Sequence, residues 1–344
     1  MWRHKRRRVA QAQLRFGSHS ATRMTVVLYW RRGGHATTLR RRLTSHAFGS
    51  IMAGHLLRTR TATSWLWSVV VIGVTASLVC AEEDKTAIFV INVDGSRPRL
   101  LARVDGFQQH EFPRWSHDGK QVAFNAKPAG SDERRLFVVK ANGLELRELG
   151  NGSMPSWSPD DKQLACYLFA DNGRAELAVR TLRDDQRTLL GPGKSPCWSP
   201  NGSRMAATDG TNVSVVDLQT DEAIRLFPEP FLEVFRGFAF SPDGKRLAVT
   251  VRSAKDAKRQ LLLVDAQGAS HGIKTRLTSN LGGFVSFSPD GKQLIYSSDY
   301  KLYIIEVDRD LISRMVPGQR GRSHHPDWSP DGQTVVFVSD RTDL

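Results

Sequence analysis

The side chains in this 344-residue sequence best suited to chemistry are His110, Glu111, His324 and His325. Imidazole nitrogens with a carboxylate form a donor set for Zn, Mn or Fe, and such a metal could serve a lyase or hydrolase. The same four residues, joined by Lys194 and Arg236, could instead form a polar rim. Such a rim would bind a peptide, glycan or protein partner, or simply be solvated. Their spacing along the chain carries no ligand signature. The sequence also lacks a P-loop, G-x-G-x-x-G, H-E-x-x-H and paired C-x-x-C. No cofactor and no Ser-His-Asp hydrolase domain is expected.

These residues are far apart in sequence, so something must bring them together, and an internal repeat can do it. Six segments align without gaps: PRWSHDGKQVAF (113–124), PSWSPDDKQLAC (155–166), PCWSPNGSRMAA (196–207), FAFSPDGKRLAV (238–249), VSFSPDGKQLIY (285–296) and PDWSPDGQTVVF (326–337). The aromatic anchors are Trp115, Trp157, Trp198, Phe240, Phe287 and Trp328, spaced by 42, 41, 42, 47 and 41 residues. Four of the eight tryptophans occupy this one position.

Each copy reads as a β-hairpin. Proline presets φ for a type I turn, aspartate suits the next position, and glycine takes the left-handed residue that follows. His117 replaces the proline once, Asn201 the aspartate once, and Asp161 the glycine once. The apolar run after each turn lacks strict alternation, as expected for a strand buried on both faces. A second hairpin follows in each unit, as in LFVVKANG (136–143) or LLLVDAQG (261–268). Four strands in about 42 residues is the content of a propeller blade. The domain opens with a lone second hairpin (88–101) and closes with a lone first hairpin (326–344). The expected fold is an all-β, six-bladed β-propeller over 86–344, closed by a composite blade made from these two end hairpins.

The repeated W-S-P-D-G-K, then an apolar strand, then I-F-V-x-N-x-D-G resembles the TolB-type, WD-repeat-like β-propeller family. That resemblance implies an exported bacterial propeller that binds partner proteins at the cell envelope. If the chain is cleaved after Ala81, only residues 82–85 are expected before the first strand, where the family's founding member carries an α/β domain. Its role in envelope translocation is therefore not carried over. The repeat also resembles propeller oligogalacturonide lyases, which is the basis of the alternative of a metal-assisted carbohydrate-active enzyme. In a propeller the inner strands surround the axis. Residues just upstream of the anchors should then ring one opening: His110, Glu111, Met154, Lys194, Phe235, Arg236, Asn280, His324 and His325. The expectation is a non-catalytic exported propeller that binds a protein or glycan at this channel mouth.

The formal charge of +14 would suit a nucleic-acid or membrane partner. Residues 1–81, however, hold 14 of the 49 Lys and Arg residues and no acidic residue, which leaves 35 basic against 35 acidic side chains in the rest. No nucleic-acid partner is expected. Trp65 to Cys80 is an uncharged apolar run, short for a membrane span and suited to a secretory signal, with Arg58 and Arg60 before it. Residues 52–81 are therefore expected to be a signal peptide cleaved after Ala81, with a start at Met52. Residues 1–51 are expected to be a basic, unstructured or untranslated stretch. The product would be periplasmic or at the cell envelope. A retained segment would instead anchor it to the inner membrane, its only membrane contact. Cys166 and Cys197 are expected to be buried small hydrophobes, and Asp94, Asp217, Asp265 and Asp308 to be turn residues.

Overall fold

The computed structural model describes strands Met24–Arg32 and His35–Leu43, and residues 85–344 except 171–172, 228, 232, 236, 253–258, 269–273, 279–280 and 308–312. The expected signal segment, 52–81, lies outside the described residues. The chain divides into two compact units, Met1–Ala76 and Ser77–Leu344. In the first, Met24–Arg32 pairs antiparallel with His35–Leu43, from Met24 opposite Leu43 to Arg32 opposite His35. No strand is expected there from periodicity. The run Thr25 to Trp30 is nonetheless rich in β-branched and aromatic residues, which favour an extended chain.

In the second unit the described residues form six antiparallel sheets, each in the order inner strand to outer strand. Blade 1 runs Phe107–Trp115, Gln121–Pro128, Arg135–Lys140 and Arg147–Asn151. Blade 2 is Ser153–Trp157, Gln163–Phe169, Ala175–Thr181 and Arg187–Pro192. Blade 3 is Lys194–Trp198, Arg204–Thr208, Val213–Asp217 and Ala223–Arg225. Blade 4 has a split inner strand, Glu233–Val234 and Ala239–Phe240, then Arg246–Arg252, Arg259–Asp265 and Lys274–Thr278. Blade 5 is Leu281–Phe287, Gln293–Ser298, Lys301–Glu306 and Ser313–Met315. Blade 6 is the sheet Ser323–Trp328, Thr334–Ser339, Ala87–Asn92 and Arg99–Ala102. In it Phe337 lies opposite Phe89 and Val335 opposite Ile91.

The middle strands show why alternation is missing. Val122 and Phe124 of blade 1 pack with Val336 and Val338 of blade 6. Ala123 and Val138, on the opposite face of blade 1, pack with Trp157 and Leu164 of blade 2. Every blade is thus a layer between two others. Burying each Val or Phe of this kind contributes roughly 1.5–3 kcal/mol. Trp157, Phe240, Phe287 and Trp328 are buried, whereas Trp115 and Trp198 are half-buried.

The turns carry the repeat's chemistry. In blade 5, Ser288 Oγ donates to Asp290 Oδ1 at 2.6 Å, and the same carboxylate oxygen accepts Lys292 N–H at 3.0 Å. Asp94, Asp217 and Asp265 accept backbone N–H groups two residues ahead, as expected of turn residues. Asp308 lies outside the described residues.

Candidate functional site

Three residues before each anchor stand Phe112, Met154, Ser195, Gly237, Phe284 and His325. All but Phe284 have positive φ, from 52° at His325 to 102° at Gly237. Four of them precede a proline, a position that disfavours the right-handed helical region. Each of these inner strands except that of blade 4 also shifts register against its neighbour at this point. The result is a bulge that re-aims one side chain per blade.

The re-aimed side chains meet. Phe112 of blade 1 stacks on Phe284 of blade 5 with ring centroids 4.7 Å apart, although blade 6 stands between those blades. The two rings therefore reach the axis. His325 packs against both, at 4.4 and 4.2 Å. Ser195 Oγ lies 3.0 Å from Met154 Sδ. A methyl group on Gly237 would fall 2.1 Å from the Phe284 ring, so glycine is needed there for space as well as for φ. The axis is plugged. Burial, then His324 and Arg114 nearby, hold the His325 imidazole well below its ordinary pKa. It is a neutral part of the plug and not a rim ligand.

On the side of the plug away from the Ser-Pro turns, a cavity of about 270 Å³ is lined by Thr86, Gln109, His110, Glu111, Tyr300, Arg322, His324 and Asp340. It sits where blades 5, 6 and 1 meet. His110 is buried, and its Nε2 accepts Val104 N–H at 2.9 Å. Burial lowers its pKa to about 4. Glu111 accepts Arg134 Nε–H at 2.8 Å. Arg322 donates from Nε to Asp340 Oδ2 at 2.6 Å and lies over the Tyr300 ring at 5.6 Å. Gln109, Asp299 and Tyr300 all have positive φ. Backbone strain of this sort persists where surrounding packing imposes it, and it clusters at binding sites. A second cavity, of about 420 Å³, opens between blades 1 and 2 beside Arg134, Ser153 and Phe169.

The expected rim is thus brought together only in part. His110, Glu111 and His324 share one cavity. His325 is in the plug. Lys194 begins the inner strand of blade 3, half-buried opposite Thr208, and is not part of that cavity's lining. Arg236 and Asn280 lie outside the described residues. Among the described residues no three His, Cys, Asp or Glu side chains converge as metal ligands. The set His110, Glu111, His324 and His325 therefore does not form the cluster that the alternative reading needs. The reasons are local: Val104 N–H takes His110 Nε2, Arg134 holds Glu111, and the bulge turns His325 inward. Cys166 and Cys197 are free thiols, and burial pushes Cys166 up to about 11. Thr86, Tyr300, Arg322 and Asp340 were not expected at the site, because they come from strand ends and turns outside the repeated hairpin.

Comparison with known proteins bears on the fold. TolB of Acinetobacter baumannii superposes with a TM-score of 0.59 at 18% identity, over 71% of this chain and 66% of that one. A TolB-type structure from Agrobacterium tumefaciens superposes at 0.60 and 19%, over 74% of this chain and 98% of that one. The fold is the TolB-type six-bladed propeller. No catalogued protein family matches the chain. By sequence it is 24% identical over 266 residues to dipeptidyl-peptidase 5 of Porphyromonas gingivalis, covering 73% of this chain and 33% of that protein. It is 32% identical over 107 residues to an uncharacterized protein of Agrobacterium fabrum, 30% of this chain and 35% of that one. The chain spans about a third of the length of these relatives. No helix among the described residues is long and apolar enough to cross a membrane.

Proposed function

We propose that this is an exported propeller without catalysis of its own, which binds a protein or glycan partner in the cup at its mouth. The observation that carries this reading is the plugged axis. With Phe112, Phe284 and His325 in contact, the mouth is a floor and not a tunnel, and the polar cavity beside His324 and Tyr300 opens above it. A few converging polar groups in a concave site are what recognition requires. The ring is read as closed by the sheet that Thr334–Ser339 shares with Ala87–Asn92. Export rests on the uncharged run Trp65 to Cys80, and a mature N-terminus at Glu82 would support it.

A second reading follows from the similarity to dipeptidyl-peptidase 5, of which the chain matches about a third: a propeller that forms part of a peptidase. A plugged axis would make such a propeller a lid and not a duct.

Peptide and glycan arrays probed with the purified full chain test the first reading. The expected hits weaken at least tenfold with Tyr300→Ala or His324→Ala. Hits that both variants bind as tightly as the parent would overturn it.

A further inference from the structure

The opposite end of the axis holds a second concave site, of about 340 Å³, on the Ser-Pro-turn side of the plug. Its wall includes Trp115, Trp198, Trp328, Phe240 and Phe287, with prolines of the turns around the opening. The positions just before the anchors also line it: Arg114, Ser156, Cys197, Ala239, Ser286 and Asp327. The blades are laced together here. Asp327 Oδ2 accepts Trp115 N–H at 2.9 Å, Ser156 Oγ accepts Trp198 N–H at 3.1 Å, and Ser286 Oγ accepts Trp328 N–H at 3.4 Å.

Arg114 is the exception. Its Nη1 donates to Asp327 Oδ1 at 3.0 Å, its one ion pair among the described residues. Among the described residues Nε and Nη2 make no hydrogen bond, and neither is among the polar atoms shut off from solvent. Both carboxylate oxygens of Asp327 are engaged, whereas the guanidinium keeps donors to spare. The turn aspartates nearby do not compensate. Asp118, Asp160 and Asp290, for example, each accept from their own serine and from the N–H two residues on. Ser156, Cys197 and Ser286 bring no charge, since burial keeps the Cys197 thiol protonated.

We propose that this funnel is a binding site for a carboxylate carried on an apolar body, the carboxylate pairing with Arg114 and the body lying against the indole and proline wall. A guanidinium presents its donors in a planar fork that matches a carboxylate. The aromatic wall supplies the apolar burial, and the volume lies in the range of small-ligand pockets. The plug makes the site a dead end, so the ligand enters with its carboxylate leading. The same chemistry is offered by a free arylalkyl acid and by the C-terminus of a peptide ending in an apolar residue. This site is separate from the mouth, and its failure would leave the mouth reading untouched.

Calorimetric titration of the purified full chain decides the matter. The probes are 4-phenylbutyrate, its neutral amide, and the tripeptide Ala-Ala-Leu with a free or an amidated C-terminus. The acid should bind at least tenfold more tightly than the amide. A free tripeptide that behaves like the acid identifies a chain terminus as the source, and binding by the acid alone identifies a free acid. Arg114→Lys keeps a charge beside Asp327 but loses the fork. Ala239→Leu narrows the funnel without touching Arg114. Each should weaken the acid at least tenfold while melting within a few degrees of the parent. Equal affinity for acid and amide, or no binding of either acid at millimolar concentration, would overturn the proposal. The acid–amide comparison on the parent chain decides it even if a variant fails to fold.

Discussion

Asp161 and His117, the residues that replace glycine in blade 2 and proline in blade 1, are bonded to each other. Asp161 Oδ1 accepts the His117 backbone N–H at 2.8 Å and lies 3.0 Å from its ring Nδ1, and Oδ2 accepts Asp118 N–H at 2.8 Å. Elsewhere the turn glycine of one blade abuts the turn proline of the blade before it, as Gly202 abuts Pro159 and Gly291 abuts Pro242. Proline has no N–H to offer. The two departures therefore make one substitute contact, and Asp161 bears a φ of 56° to hold it.

Restoring the repeat at one position should then do harm that restoring both removes. His117→Pro deletes the N–H that Asp161 accepts, and the double variant His117→Pro/Asp161→Gly rebuilds the usual contact. A double-mutant cycle by urea denaturation should give a coupling of about 1–3 kcal/mol. A coupling under about 0.3 kcal/mol would mean the two replacements are independent.

Trp157→Ala should cost roughly 3–5 kcal/mol. The side chain is buried between blades 1 and 2, and its Nε1 donates to Arg114 O at 3.0 Å. Trp115→Ala and Trp198→Ala should cost less, because those rings are half-buried. Chemical denaturation of the three variants ranks them.

The buried histidines set an acid sensitivity. The ordinary histidine value of 6.5 applies to the unfolded chain, and burial lowers His110 to about 4 in the fold. The unfolded state therefore takes up the proton first. The stability is intact above pH 6.5 and is lost as pH falls toward 4, by on the order of 3 kcal/mol for His110. His325 acts in the same direction. His110→Gln keeps an acceptor for Val104 N–H but does not titrate. Urea midpoints at pH 7, 5.5 and 4.5 should fall less steeply for this variant than for the parent.

The anchors and turns were legible because hairpin turn chemistry is local. Ser-Pro-Asp-Gly before an apolar run has one economical fold, and six copies make a ring. The mouth was legible only in part. Expecting all residues upstream of the anchors to share one rim ignores the bulge, which sends His324 to the cavity and His325 to the axis. The six plug residues are of five different types, so only their register reveals them. The burial of His110 was not legible because its partner, Val104 N–H, belongs to a backbone segment with no side-chain signature. Arg114 passed unnoticed for a related reason, since its repeat partners are Ser, Cys, Ala and Asp and no pattern marks it.

The closed ring is tested most directly by native-state hydrogen exchange on Thr334–Ser339 and Ala87–Asn92, which pair from Thr334 opposite Asn92 to Ser339 opposite Ala87. Ladder amides of these two strands should exchange as slowly as those of Gln163–Phe169 and Ala175–Thr181 in blade 2, through the same global opening. Fast exchange in the first pair while blade 2 stays protected would contradict the closure, and with it the plugged axis and the cup above it.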